Sequence, residues 1–491
     1  MKKLFLASLS GLLYALSFPA YSLWPLAWIW AVPLLFLIRD AGKAEAFVYG
    51  MASGMVAWGG VLYWIAYVMN TYGGMGLLPA SFLLLLLLIL LSLYFGAFAW
   101  LARRFIHSRI AFLLIPGAWV LLELVRSYVP FSGFPWALLG YSQFPWKSFI
   151  QIAEFGGVYL VGGIVLMGNV AVYQALMRRE ILPAVFAAVI VTNCMLWGVW
   201  RMGDAALSTD AKPVRAAVAQ ANIPQDKKWM YEMVDPTIDI YSRLIRSAVK
   251  DGAELVVCPE TSCPFFLFRQ WAPTSRVVLL SQEVGAKLVV GSPAREDGRY
   301  FNRMWLIDRG MIGGYYDKVH LVPFGEYLPL ESFIRPFFSG LTKEVGDFAT
   351  ARSPSPIGDI GAMICFESIF PGVTRDLCNK GATYLVNASN DAWFKTWSTP
   401  EQHLQMASFR AIESRRWLLR SVNHGISAIV DPKGRIVKQI GLLREGFIIA
   451  DITPRTTLTF YTRFGPLFAA LWAAISAIAA LTRYKSDVKA T

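Results

Sequence analysis

The chain has 491 residues, of which 56 % are hydrophobic and only 16 % charged; 46 Lys and Arg against 33 Asp and Glu leave a net charge of +13. Such apolar content excludes a disordered chain and exceeds what the core of an ordinary soluble protein can hide. The basic excess raises nucleic acid or an acidic membrane as partners until the charges are placed along the chain.

Apolar stretches follow one another in the first 200 residues: Leu4–Ala20, Trp24–Ile38, Phe47–Val68, Leu77–Ala102, Ile110–Val125, Val158–Met177 and Ile181–Trp200; an eighth, Phe464–Thr482, lies near the C-terminus. A helix needs about 20 apolar residues to cross a bilayer, so Trp24–Ile38 is the shortest candidate. Lys2 and Lys3 before the first stretch also fit a signal peptide. More spans follow at once and no small-residue cleavage site stands out, so we read an uncleaved helix. With the N-terminus in the cytoplasm, Lys2, Lys3, Arg39, Lys43, Arg103, Arg104, Arg109, Arg178, Arg179, Arg483, Lys485 and Lys489 fall at cytoplasmic ends, and Lys147 nearly alone on the other side. Cytoplasmic loops carry the Lys/Arg excess of membrane proteins, so both termini are expected there. Glu123 in the fifth stretch has Arg126 one helical turn away and reads as half of a structural pair.

Residues 201–460 differ in kind: 31 Lys and Arg against 27 Asp and Glu, an ordinary soluble density. The expected organisation is a membrane domain of seven spans (1–200), an external domain (201–460) on the periplasmic side of a Gram-negative cell, then the eighth span and a cytoplasmic tail (461–491). Short β-branched runs at Val214–Ala219, Leu255–Val257, Leu288–Val290, Met363–Ile364, Tyr384–Val386 and Ile426–Val430 predict strands. A helix is predicted from Asp235-Pro236, with Ile238, Tyr241, Leu244, Ile245 and Val249 at helical spacing, and another over Glu401–Arg420. The alternation makes the domain α/β.

Three reactive residues follow such apolar runs: Glu260 after Leu255–Pro259, Lys318 after Tyr315–Asp317, and Cys365 after Ala362–Ile364. Strand ends of α/β folds face crevices where sites form. An acid, an ammonium and a thiol together suit acyl transfer: the carboxylate takes the thiol proton, the thiolate attacks a carbonyl, and the ammonium stabilises the oxyanion. By residue type alone each has a plainer reading, as loop carboxylate, surface charge and buried small hydrophobe. His320 and His403 lack a partner motif and read as structural. Asn390 and Asp391 read as a turn. Five cysteines without metal spacing speak against a zinc site or a disulfide framework.

The local words are more specific. "CPET" (258–261), "YDKVHLVPFGEYLP" (316–329), "ICFESIFP" (364–371) and "NASNDAWF" (387–394) resemble, in that order, the site segments of the nitrilase superfamily. With "GFPW" (133–136), "GYSQ" (140–143), "QANIPQDKKW" (220–229) and the flanking spans, the chain resembles the bacterial apolipoprotein N-acyltransferases over essentially its whole length. That resemblance implies a polytopic α-helical membrane domain of about eight spans plus an α/β nitrilase-like α-β-β-α sandwich. It implies Cys365 as nucleophile, Glu260 as general base and Lys318 as oxyanion partner, with Glu326 as a supporting acid. Phe366 and Glu367 would line the pocket, Trp229 would stand near the lipid entrance, and Trp136 on the membrane-side loop. Many members carry Tyr where Phe366 stands, and an aromatic residue where Cys258 stands.

Plainer readings stand beside these: membrane anchoring for Trp136 and Trp146, ordinary packing for Trp229, a structural carboxylate for Glu326, and backbone hydrogen bonding for Glu367. The function implied is transfer of an acyl chain from a phospholipid to the N-terminal amine of diacylglyceryl-cysteine apolipoproteins, through a thioester on Cys365. No metal, cofactor or nucleic acid is expected, and the working unit is expected to be a monomer in the inner membrane. A membrane-anchored amidase with the same triad, and a transporter with an external binding domain, are the rival readings; eight spans are more than an anchor needs, and the spans show no inverted repeat.

Overall fold

The computed structural model describes residues 2–72, 74, 76–203, 211–327, 347–394 and 398–489. Leu328 and Pro329, which end the lysine word, lie outside the described residues. The chain divides into two compact units, one of Met1–Thr71, Met75–Ala206 and Phe464–Thr491, the other of Tyr72–Gly74 and Leu207–Arg463.

The first unit is helical: α1 (Lys2–Leu16), α2 (Val32–Ile38), α3 (Lys43–Leu62), α4 (Trp64–Thr71), α5 (Leu77–Phe105), α6 (Ala111–Arg126), α7 (Ala153–Arg178) and α8 (Leu182–Arg201), with a last helix at Leu467–Lys489. Among the described residues three helical stretches are long and apolar enough to cross a membrane: Leu77–Phe105, Phe149–Arg178 and Leu182–Arg201. A fourth is reached if α3 and α4, bent by 54°, count as one span. The predicted stretch Trp24–Ile38 is instead a 3₁₀ turn (Trp24–Trp28) followed by the seven-residue α2, each with Pro in its first turn, where the missing N–H is tolerated. The stretch Val158–Met177 starts just beyond a break at Gly157, whose φ of 67° no continuous helix accommodates. The last stretch is divided between helices at Phe460–Phe464 and Leu467–Lys489.

An aromatic core joins these helices. Tyr14, Trp30, Phe95 and Trp119 pack with ring centroids 5.1–6.1 Å apart. Glu123 and Arg126 serve the loop that follows α6: Glu123 Oε1 accepts from the Leu139 N–H at 2.7 Å, and Arg126 Nη1 donates to the Phe134 and Trp136 carbonyls at 2.7 and 2.9 Å.

The second unit carries two sheets. The first has the order β11-β1-β2-β3-β4-β5, from Gly446–Ile452, Val214–Gln220, Leu255–Val257, Lys287–Glu296, Arg299–Asp308 and Met311–Asp317. The second runs β10-β9-β8-β7-β6, from Ile436–Ile440, Ser427–Val430, Leu418–Val422, Tyr384–Ser389 and Ile360–Ile364. Strands β1, β2 and β3 are parallel, as are β6, β7 and β8. The sheets meet face to face, β1 against β8 and β9, β4 against β6. Polar stitches cross between them: Ser421 Oγ donates to the Ala219 carbonyl at 2.8 Å and Ser427 Oγ to Gln220 Oε1 at 2.6 Å.

Helices α9 (Val234–Lys250) and α10 (Trp271–Val284) cover the first sheet. Ile238, Tyr241, Leu244 and Ile245 of α9 bury against Val256 and Leu288, the face their spacing predicts. Helices Pro371–Asn379 and Ser398–Ser414 pack on the second sheet. The result is four layers, an α-β-β-α sandwich. The helix predicted over Glu401–Arg420 stops at Ser414; Arg415 turns back at a φ of 52°, and Leu418–Arg420 already belong to β8.

Candidate active site

The ends of three strands build the site. Chain leaving β2 reaches Glu260, chain leaving β5 reaches Lys318, and Cys365 directly follows β6. Cys365 sits at a φ of 52° and begins a 3₁₀ turn, Cys365–Ile369, a conformation rare outside glycine that lifts a side chain out of the strand direction. Beneath the Glu260 turn, Gly291 of β3 leaves no room for a side chain: a Cβ there would lie 2.5 Å from the Thr261 nitrogen and 2.8 Å from the Pro259 oxygen.

The charged groups converge on Lys318, which is almost fully buried. Its Nζ is 2.8 Å from Glu326 Oε2 and 3.6 Å from Glu260 Oε1. Asn302 of β4 bridges the two acids, its Nδ2 donating to Glu260 Oε1 at 2.7 Å and to Glu326 Oε1 at 3.0 Å. Burial opposes the lysine charge, but Glu326 and then Glu260 outweigh it and hold the pKa above that of a free lysine. The Cys365 thiol, 9 % exposed, is pushed up to about 12, first by burial and then by the Glu260 charge, with Lys318 pulling the other way. At neutral pH it is therefore a thiol.

Glu367 faces inward. It is fully buried, and its carboxylate accepts from the backbone N–H groups of Ile364 (2.6 Å), Val319 (2.6 Å) and His320 (3.1 Å) and from the Tyr316 hydroxyl (3.0 Å). Burial pushes its pKa up to about 7 against those donors. One carboxylate thus ties the Lys318 segment to the Cys365 elbow. Phe366 packs edge-on against Phe370, which also stacks on His320 at 4.1 Å. Trp229 is 53 % exposed on the second unit; Trp136 belongs to the first unit, is 2 % exposed, and stacks on Phe134 and tilts against Trp64.

Two groups read otherwise from the sequence, His403 and Asp391, have partners here, and so does Lys228, which the sequence did not single out. His403 contacts the Cys365 carbonyl through Nε2 at 3.1 Å and Asp391 Oδ1 through Nδ1 at 3.2 Å. Asp391 is more than a turn residue: Arg420 Nη2 donates to its Oδ2 at 2.7 Å, with both side chains fully buried. Arg420 also donates to Asn387, whose Nδ2 reaches the Cys365 carbonyl at 3.3 Å. Lys228 is buried beside the Glu260 turn. Among the described residues no group of three His, Cys, Asp or Glu side chains could hold a metal ion.

Residues 10–171 match the family model of the apolipoprotein N-acyltransferase N-terminal domain, and residues 215–460 match carbon-nitrogen hydrolase. The chain is 37 % identical to the apolipoprotein N-acyltransferase of Geobacter metallireducens, over 96 % of this chain and 93 % of that one. It belongs to the apolipoprotein N-acyltransferase family. The family member of Pseudomonas aeruginosa is 33 % identical over 94 % of this chain and 91 % of its own. Among solved structures, the chain is similar to Nit3 of Saccharomyces cerevisiae, a member of branch 10 of the nitrilase superfamily, at 19 % identity, with 50 % of this chain and 93 % of that one covered and a TM-score of 0.40.

Proposed function

We propose that this enzyme transfers an acyl chain from a phospholipid to the N-terminal amine of diacylglyceryl-cysteine apolipoproteins, with Cys365 carrying the acyl group as a thioester. Near full-length likeness to apolipoprotein N-acyltransferases, in both the helical and the hydrolase-like parts, carries the reading. Glu260 takes the Cys365 proton as sulfur attacks the ester carbonyl. Lys318 balances the oxyanion, since a positioned charge in a dry site is worth far more than in water. The intermediate collapses, the lysophospholipid alkoxide leaves, and Glu260 returns the proton to it. In the second half the apolipoprotein amine attacks the thioester, gives its proton to Glu260, and the amide forms as sulfur leaves and takes that proton back. Because the resting sulfur is a thiol, proton removal belongs to the attack itself.

Glu326 and Glu367 support this site: the first holds the Lys318 ammonium, the second fixes backbone on both sides of it. Phe366 and Trp229 are assigned to acyl-chain and headgroup contact, for which aromatic faces are suited, and Trp136 to the membrane-side loop of the helical part. The working enzyme is a monomer of the inner membrane, with eight spans. Residues 1–200 supply seven, residues 201–460 lie in the periplasm as the catalytic domain, and residues 461–491 return the chain to the cytoplasm, where both termini lie. A lipid anchored by its tails leaves the bilayer only at about 0.8 kcal/mol per CH₂, so a catalytic domain tethered at the membrane suits this substrate. An amidase with the same triad has less support, because it gives the helical part no task.

The deciding experiment incubates the enzyme with a phospholipid carrying a tagged acyl chain. The expected result is a hydroxylamine-sensitive adduct on Cys365 that is absent in Cys365→Ala, and tagged apolipoprotein after the acceptor is added. No adduct on the wild type, or one that survives the substitution, rejects the mechanism.

A further inference from the structure

We infer that Lys228 is a positioning residue of this site: its buried ammonium fixes the turn that carries Glu260 and keeps a second positive charge beside the reacting groups. The inference rests on the acyl-transfer reading above. Lys227 and Lys228 are adjacent, yet Lys227 is exposed and Lys228 is 1 % exposed. Lys228 Nζ donates to the Glu260 carbonyl at 3.0 Å and to Thr261 Oγ1. Thr261 has a φ of 47°. A β-branched residue persists in that region only where its surroundings hold it there. Gly291 presses on this turn from β3, and Lys228 pins it through a carbonyl and a hydroxyl, so Glu260 has little freedom in how it meets Asn302 and Lys318.

A buried ammonium is disfavoured by desolvation, and an apolar side chain could fill the same volume at no such cost. The groups facing it explain what the charge does. From the turn these are Glu260 and Cys263, and from the β6 elbow Cys365; Glu260 in turn lies 3.6 Å from Lys318, which pairs with Glu326. Burial brings the Lys228 pKa down to about 8, with Glu260, Cys365 and Cys263 acting to raise it. Lys228 is therefore charged at neutral pH and loses its charge as pH rises through about 8. That loss removes support from the Glu260 carboxylate and from a developing Cys365 thiolate together.

The test uses the full-length enzyme with the tagged phospholipid and compares Lys228→Gln, which keeps two donors without charge, with Lys228→Met, which keeps neither. We expect Lys228→Met to lower kcat 10- to 100-fold with KM for the phospholipid within threefold, and Lys228→Gln to recover at least threefold of that loss. The wild-type rate of Cys365 acylation should fall above about pH 8, and this limb should be missing in both variants. Variants within twofold of wild-type kcat, a loss carried by KM, or a limb unchanged in Lys228→Gln overturns the inference. So does loss of cooperative unfolding in both variants, since Lys228 is then a folding residue; if only Lys228→Met fails to fold, the limb in Lys228→Gln decides. A wild type that forms no Cys365 adduct rejects the acyl-transfer reading instead, whereas variants matching an active wild type reject only the role of Lys228.

Discussion

The residues around Cys365 differ in how much of their position was legible in the sequence. Glu260 and Cys365 each follow a short apolar run, Lys318 follows Tyr315-Tyr316-Asp317, and the words around all three are local. Asp391 and His403 were read as plainer groups and Lys228 was not singled out, because their contacts here are long-range. Asp391 gains its weight from Arg420, 29 residues on, and Lys228 from a turn 32 residues away. Lys227 and Lys228 are adjacent, and nothing in the spacing says that one of them turns inward. The Asp391–Arg420 pair gives a direct test. Breaking a buried, hydrogen-bonded ion pair by removing one charge costs about 3–5 kcal/mol. Asp391→Asn should accordingly lower the midpoint of chemical or thermal unfolding markedly. Burial raises the Asp391 pKa, but Arg420 and then His403 outweigh it and bring the value down to about 2. A depressed carboxylate stabilises the fold above its unfolded value near 3.8 and stops doing so as pH falls through about 2. The wild type should lose this increment of stability between about pH 4 and 2, and Asp391→Asn should not. Equal stability of the two proteins at pH 6 would contradict the assignment.

At the scale of elements, the strands with β-branched runs and the amphipathic helix α9 were readable, because burial on one face leaves a period in the sequence. β4 and β8 were not. β4 holds Arg299, Asn302, Arg303 and Asp308 among its apolar residues, and β8 follows a helix so closely that its first residues seemed to continue it. The polar residues of β4 have structural causes: Asn302 bridges Glu260 and Glu326, and Arg303 pairs with Asp317 at 2.6 Å. Gly291 shows how one strand sets the geometry of the next turn. Gly291→Ala must push the Glu260 turn outward, because the new Cβ would meet backbone at 2.5 and 2.8 Å. Overpacking of this kind costs about 1–3 kcal/mol. We expect a folded protein with a modestly lowered Tm and at least a tenfold loss of acyl transfer. Full activity in Gly291→Ala would show that the Glu260 turn tolerates displacement.

For the whole molecule, the charge that first suggested nucleic acid is divided by region. Residues 201–460 are nearly balanced, and the rest holds 15 Lys and Arg against 6 Asp and Glu, mostly at one end of the apolar stretches. Apolar length was legible, but the prolines and glycines that bend or divide several stretches change how many helices reach spanning length by themselves. The proposed topology can be tested by fusion. Alkaline phosphatase joined after Gly203 should be active, and joined after Arg104 inactive, while a green fluorescent protein at the C-terminus should fluoresce. The opposite pattern at any of the three junctions would contradict the orientation.

The buried Cys365 thiol bears on chemical durability. Peroxides and disulfides react with thiolates rather than thiols. A sulfur pushed up to about 12 offers almost no thiolate at neutral pH. In an oxidising medium such a sulfur is expected to react slowly with peroxides and disulfides. The same desolvation that makes the attack harder to start also makes this sulfur slow to oxidise.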